Sequence, residues 1–250
     1  MSTDGKPHIV AIGGGGFIPT DRYGVTPSPL LRYALDLTGQ DRPRVCFLTT
    51  ALGDAAEAIA RFYAAFAGVD AEVSHLALFP MPNHEDPAAH LLAQDFVYVS
   101  GGSIANLLAL WRLHGLTDAF AEAWRSGVVL CGQSAGALCW HVGGTTDSFG
   151  PRLRPLTDGL GLLPYSCGVH YDSDEQRRPL LQRLVAEGTL PDGYAADEAV
   201  GLHYVGTEFV QAVTYVEGRG AYHVRADGAG GVKETRIEPR LLASFGDVVR

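Results

Sequence analysis

Gly132-Gln133-Ser134-Ala135-Gly136 is the stretch of this chain with the clearest chemical meaning. A serine hydroxyl is a weak nucleophile until a base takes its proton. The pattern G-x-S-x-G, set between an apolar strand-like run and a helix-like run, describes a nucleophile elbow. The backbone turns sharply, the serine stands above the strand end, and a side chain at either glycine would strike a neighbouring element. The flanks here are VVLC (128–131) and ALCW (137–140), as the elbow requires. A helix opening at Ala135 points its free N–H groups at the same spot, where they would hold a developing oxyanion. The competing reading is a chance match in an ordinary turn.

An activated serine needs an imidazole. Of nine histidines, His170 has the most telling context, because SCGV (166–169) reads as a short strand ending at it and YDSD (171–174) as a polar turn after it. His203 is the next candidate. His141 lies on the elbow helix and would have to fold back. His8, His75, His84, His90 and His114 precede the serine, but such triads occur in several chain orders, so order excludes none of them.

The elements that must position these residues alternate along the chain. Strand-like runs fall at 8–12, 44–50, 71–78, 95–100 and 128–131. Helix-like runs fall at 29–37, 54–67, 104–113, 117–126 and 135–141. Apolar strands alternating with amphipathic helices predict an α/β fold, a mostly parallel sheet covered by helices on both faces. Strand candidates at 200–205, 210–215 and 221–224 predict C-terminal β-hairpins extending one edge of that sheet. Residues 143–158, rich in Gly, Thr, Pro and Asp, read as an irregular excursion. No linker or repeat divides the chain, so one domain over 1–250 is expected.

Composition narrows the function classes. Hydrophobic residues make up 46 % and charged residues 19 %, enough for a sizeable core and too few charges for long disorder. A net charge of −9 without a basic block disfavours nucleic acid and anionic membranes as partners. No basic segment followed by an apolar run opens the chain, and no apolar stretch reaches the roughly 20 residues of a membrane span. Cys46, Cys131, Cys139 and Cys167 form no CxxC pair and read as structural thiols in a reduced, cytoplasmic setting. Gly13–Gly16 lacks the G-x-G-x-x-G spacing of a dinucleotide fingerprint, and Thr49-Thr50 stands where its acidic residue would be. That loop reads instead as a border of the active site. His84-Glu85-Asp86 reads as a solvated loop rather than a metal site. No cofactor and no metal are expected. The apolar segment 107–113, with Trp111, suits a core as well as an interface, which leaves a homodimer open.

Four segments together resemble a known family: AIGGGGF (11–17), VSGGSIANLLALWRLHG (99–115), GQSAGALCW (132–140) and LGLLPYSCGVHYDSDEQRRPLLQRL (160–184). The serine and HYD-x-x-x-x-RR segments are the specific ones, and the glycine run is weak. The family is that of the dipeptidase E (aspartyl dipeptidase) serine peptidases, S51, related to cyanophycinase. The later LPDGYAADEAVGLHYVGTE also looks familial. The resemblance implies a three-layer sandwich like the class I glutamine amidotransferases. It implies Ser134 as nucleophile, His170 as base, and the backbone N–H groups of Gly102 and Ala135 as oxyanion hole. It implies an acidic third member, for which Asp147 is the best match and Asp158 the second.

Substrates of this family are dipeptides, and some tripeptides, with an amino-terminal aspartate, so a cation must meet the substrate's side-chain carboxylate. Arg177 is favoured, with Arg178 beside it; a guanidinium grips a carboxylate with two parallel hydrogen bonds. Asp192 or Asp197 would receive the free amine. Ser103 stands where the family commonly has asparagine, which puts a strict aspartate preference in question; Asn106 falls near the same helix face without being an assured replacement. The expectation is an Asp-X dipeptidase acting on a small peptide. The alternatives are relaxed specificity, a cyanophycinase-like β-aspartyl hydrolase and a small-molecule-binding module. The β-aspartyl reading wants a further acidic pocket, which is not evident. The binding module predicts a missing nucleophile or base, and neither is missing.

Overall fold

The structure, a computed structural model, describes residues 6–20 and 24–243. In chain order its first half holds β1 (His8–Ile12), β2 (Phe17–Pro19), β3 (Val25–Pro27), α1 (Pro29–Asp36), β4 (Arg44–Leu48), α2 (Ala56–Phe66), β5 (Glu72–Leu76), α3 (Pro87–Leu92), β6 (Phe96–Val99), α4 (Ile104–Leu113) and α5 (Leu116–Arg125). The second half holds β7 (Val129–Gln133), α6 (Ala135–Leu138), β8 (His141–Thr146), β9 (Arg154–Leu156), β10 (Leu163–Gly168), α7 (Arg177–Ala186), β11 (Gly193–Ala196), β12 (Val200–Val205), β13 (Glu208–Thr214), β14 (Ala221–Ala226), β15 (Val232–Ile237) and β16 (Arg240–Leu241). Local chemistry sets the helix starts. Ser28 caps α1 ahead of Pro29, Asp86 caps α3 ahead of Pro87, and Ser103 caps α4.

The fold is α/β with mixed, largely parallel sheets. The larger sheet has eight strands in the order β16-β13-β12-β1-β7-β6-β4-β5. Its five strands from β1 to β5 run parallel, as the βα alternation predicts. Strand alternation sends side chains to two cores. Ile9, Ala11, Cys46, Leu48, Val97, Val99 and Leu130 face α4 and α5. Val10, Ile12, Val45, Phe47, Phe96, Tyr98 and Cys131 face α1 and α2. All four cysteines are free and buried within these layers; burial pushes the Cys46 and Cys167 thiols up to about 12.

The C-terminal part departs from the expected picture. β12 and β13 do extend the sheet edge as an antiparallel pair. β14, however, joins a second, six-stranded sheet of order β15-β14-β11-β10-β8-β9. Residues 143–158 are not an irregular excursion: they supply most of β8 and all of β9. The elbow helix stops at Leu138, because His141 already enters β8. The second sheet packs against the first through a shared core, in which Leu163, Cys167 and Ala221 lie with Ile9, Leu202 and Tyr204. His170, just past β10, donates its N–H to the Gly13 carbonyl past β1 at 3.2 Å.

Candidate active site

Ser134 sits between β7 and α6 with φ 53° and ψ −114°, a conformation that costs a non-glycine residue about 1–3 kcal/mol. Its N–H is anchored to the Ile12 carbonyl at 3.0 Å. The two glycines of the motif make the turn sterically feasible. A Cβ on Gly132 would strike the Gly136 backbone, and one on Gly136 would strike the Val99 carbonyl of β6. The chain thus folds as an elbow, and the chance-turn reading of the motif loses its ground.

His170 also has positive φ, 51°, and its imidazole reaches the same space as Ser134. The structure corrects the expected third member. His170 Nδ1 is hydrogen-bonded to the Glu198 carboxylate, not to Asp147 or Asp158. This bond, more than any other influence, holds the Glu198 carboxyl below its ordinary range. Ser173 Oγ donates to the same carboxylate oxygen at 3.3 Å, and the Glu198 N–H donates to Asp172 at 2.8 Å. The glycine loop explains its own composition here, since a Cβ on Gly14 would occupy the place of the Glu198 carboxylate. Gly16 N–H donates to Gln133 Oε1 at 2.8 Å, which pins the loop to the elbow.

Two chambers flank Ser134. One, of about 520 Å³, is polar and lined by Gly102, Ser103, Asp147, Asp174 and Arg177 together with Ser134 and His170. The other, of about 470 Å³, is mostly apolar, with Phe17, Val25, Phe47, Phe62 and Tyr98 among its walls. Gly102 borders both, at φ 134°, a value that suits glycine. Ala135 is the first residue of α6, where its N–H precedes the intrahelical ladder.

The remaining expected residues separate. Asp147 lines the polar chamber 3.5 Å from Arg177 rather than supporting the imidazole. Asp158 pairs with Arg112 at 2.8 Å. Arg177 is 4 % exposed; it donates to the Thr145 carbonyl at 3.0 Å and to Asp174 at 3.3 Å. Arg178 turns to Glu234 and lies over the Tyr171 and Tyr222 rings, outside both chambers. Ser103 lines the polar chamber, and its hydroxyl accepts the Asn106 N–H at 3.3 Å as a helix cap. Asn106 is exposed and lines neither chamber. Asp192 accepts from Ala226 N–H at 2.9 Å, and Asp197 from Gly220 N–H at 2.8 Å, so both serve the second sheet. Burial raises the Asp197 carboxyl above its ordinary range. His203 is bonded to His8 and Tyr33, and His141 to Ala137 and Tyr204, so neither stands at the serine. Glu198 was the residue missed. Its only sequence signal was the familial look of AADEAVG, in which Asp197 drew attention instead. Among the described residues no group of three His, Cys, Asp or Glu side chains is placed to hold a metal, and no helix is long and apolar enough to cross a membrane.

An elbow serine over a largely parallel sheet, with an imidazole and a carboxylate behind it, places the molecule among the α/β hydrolytic enzymes that use a serine nucleophile. Residues 9–212 match Peptidase family S51, and the chain belongs to that family of serine peptidases. It is 42 % identical over 217 residues to the uncharacterized peptidase YgaJ of Bacillus subtilis, covering 86 % of this chain and 91 % of that one. It is 31 % identical over 175 residues to peptidase E of Streptomyces coelicolor, covering 64 % and 69 %. The crystal structure of a peptidase from an acI-B1 Actinobacterium shares the fold, with a TM-score of 0.69 at 18 % identity over 96 % of this chain and 97 % of that one.

Proposed function

We propose that this S51 peptidase hydrolyses dipeptides with an amino-terminal aspartate through an acyl-enzyme on Ser134. The observation that carries the reading is the His170–Glu198 bond beside the elbow serine. Ser134 Oγ attacks the peptide carbonyl while His170 Nε2 takes its proton. Glu198 holds the Nδ1–H tautomer and stabilises the imidazolium. The N–H groups of Gly102 and Ala135 bind the oxyanion. His170 returns the proton to the leaving amine, then activates water to release the acyl group.

Arg177 is the cation for the substrate's aspartate. Its bond to Asp147 is the exchangeable one, because the Asp147 side chain is 60 % exposed whereas the guanidinium is buried. One observation favours a second reading, relaxed specificity: Arg177 is already matched by Asp147 and Asp174, and Ser103 offers a short hydroxyl. Hydrolysis of Asp-Leu and Ala-Leu by the native protein and by Ser134→Ala separates the two. Asp-Leu cleavage, with kcat lost by about 10⁶-fold in the variant, is expected. Cleavage of both dipeptides supports relaxed specificity. Turnover within tenfold in Ser134→Ala overturns the mechanism. A native protein inert on both dipeptides returns the β-aspartyl and binding-module readings.

A further inference from the structure

The apolar chamber has features that acyl transfer at Ser134 does not itself require. Phe47 and Phe62 stack at 3.7 Å, and Phe17 meets Tyr98 edge-on at 5.6 Å, so its walls are rigid aromatic surface. Its volume of about 470 Å³ falls in the range of small-ligand sites. Two hydroxyls that line it, Tyr98 Oη and Ser100 Oγ, are buried and have no hydrogen-bond partner among the described residues. Such groups are costly unless something polar meets them. A cation completes the lining. Arg61, on the exposed face of α2, forms no ion pair among the described residues. The polar chamber has the opposite balance, two carboxylates (Asp147 and Asp174) to one guanidinium.

Charge therefore changes sign across the nucleophile. A zwitterionic dipeptide has the same asymmetry, amine at one end and carboxylate at the other. We infer that the aromatic chamber holds the leaving amino acid of the substrate, with its carboxylate on Arg61, and so selects dipeptides whose second residue is large and apolar. This rests on the serine hydrolysis proposed above. When the C–N bond breaks and His170 protonates the amine, a free amino acid with an intact carboxylate leaves this chamber. A carboxyl-terminal extension would displace that carboxylate from Arg61, which limits the length of the peptide.

The test measures kcat/KM for X-Leu, X-Gly and X-Leu-amide, X being the better of Asp and Ala. The native protein and Arg61→Gln are compared, with reaction of Ser134 with an organophosphonate as a check that the nucleophile is intact. The native protein should prefer X-Leu over X-Gly by at least about tenfold. It should prefer X-Leu over its amide by about tenfold, mainly in KM. Arg61→Gln should bring the acid-to-amide ratio close to one and keep the preference for leucine. A native protein that cleaves all three equally, or an Arg61→Gln ratio unchanged from native, overturns the inference while the hydrolase reading stands. Failure of the native protein both to cleave and to react with the phosphonate removes the parent reading itself.

Discussion

In the proposed mechanism the two ring nitrogens of His170 have different tasks, and the Nδ1 side decides which carboxylate matters. Glu198 is bonded there, and Asp147 is bonded to a guanidinium. Glu198→Gln keeps the shape but removes the charge that stabilises the imidazolium. Its kcat should fall by about 10²–10⁴-fold. Asp147→Asn should change kcat by less than about tenfold and show itself in KM for aspartyl substrates, through Arg177. Steady-state kinetics of both variants decides the assignment; equal losses in kcat would sink it. That Ser134 and His170 share one space was legible because each lies in a local pattern, a turn between two glycines and a strand end followed by a polar turn. Glu198 was not, because it lies 28 residues beyond His170 in sequence and β11 brings it back. Nothing in sequence spacing reports that return. Asp147, close after the serine, looked better placed than it is, since β8 carries it toward Arg177 instead.

At the scale of elements, the elbow is a three-way contact among β7, α6 and β6. Gly136 lies so close to the Val99 carbonyl that one methyl group must part α6 from β6. Gly136→Ala should therefore cost about 1–3 kcal/mol of stability and lower the calorimetric midpoint by several degrees. A variant as stable as the native protein would show that the elements can separate without strain. The same crowding explains what sequence reading lost. Strands 8–12 and 200–205 and the helix 104–113 were legible residue by residue, because the strands are short, largely apolar runs buried along their length and the helix repeats Ile104, Leu107, Leu108 and Trp111 at helical spacing. β8, with the sequence HVGGTT, has two glycines where a strand normally shows apolar side chains. Those glycines exist because added side chains would strike the Leu156 and Cys167 carbonyls of the adjoining strands. Close backbone approach erased the very signal by which the strand would have been recognised, and the second sheet went unseen with it.

At the scale of the whole molecule, buried histidines tie elements together and make stability depend on pH. His141 is fully buried between the Ala137 carbonyl and the Tyr204 hydroxyl, and burial pushes its imidazole down to about 4. His203 joins β12 to His8 of β1 and Tyr33 of α1, and burial, reinforced by His8, lowers it likewise to about 4. Both pKa values lie below the unfolded value of 6.5, so the unfolded chain takes up the protons first. Their contribution is complete above pH 6.5 and is lost as pH falls from there toward 4. The slope is about 1.4 kcal/mol per pH unit for each histidine within that window. Glu198, whose pKa is lowered from 4.5, acts in the same direction but only as pH falls through 4.5 and below, so its effect is small at pH 5 and above. Urea unfolding at pH 8, 7, 6 and 5, followed by the fluorescence of the three tryptophans, should show a plateau and then a decline. In His141→Gln the decline should be shallower by about one proton's slope, even if the variant is less stable at every pH. A native protein equally stable at pH 8 and pH 5 would mean that these imidazoles protonate without leaving their sites.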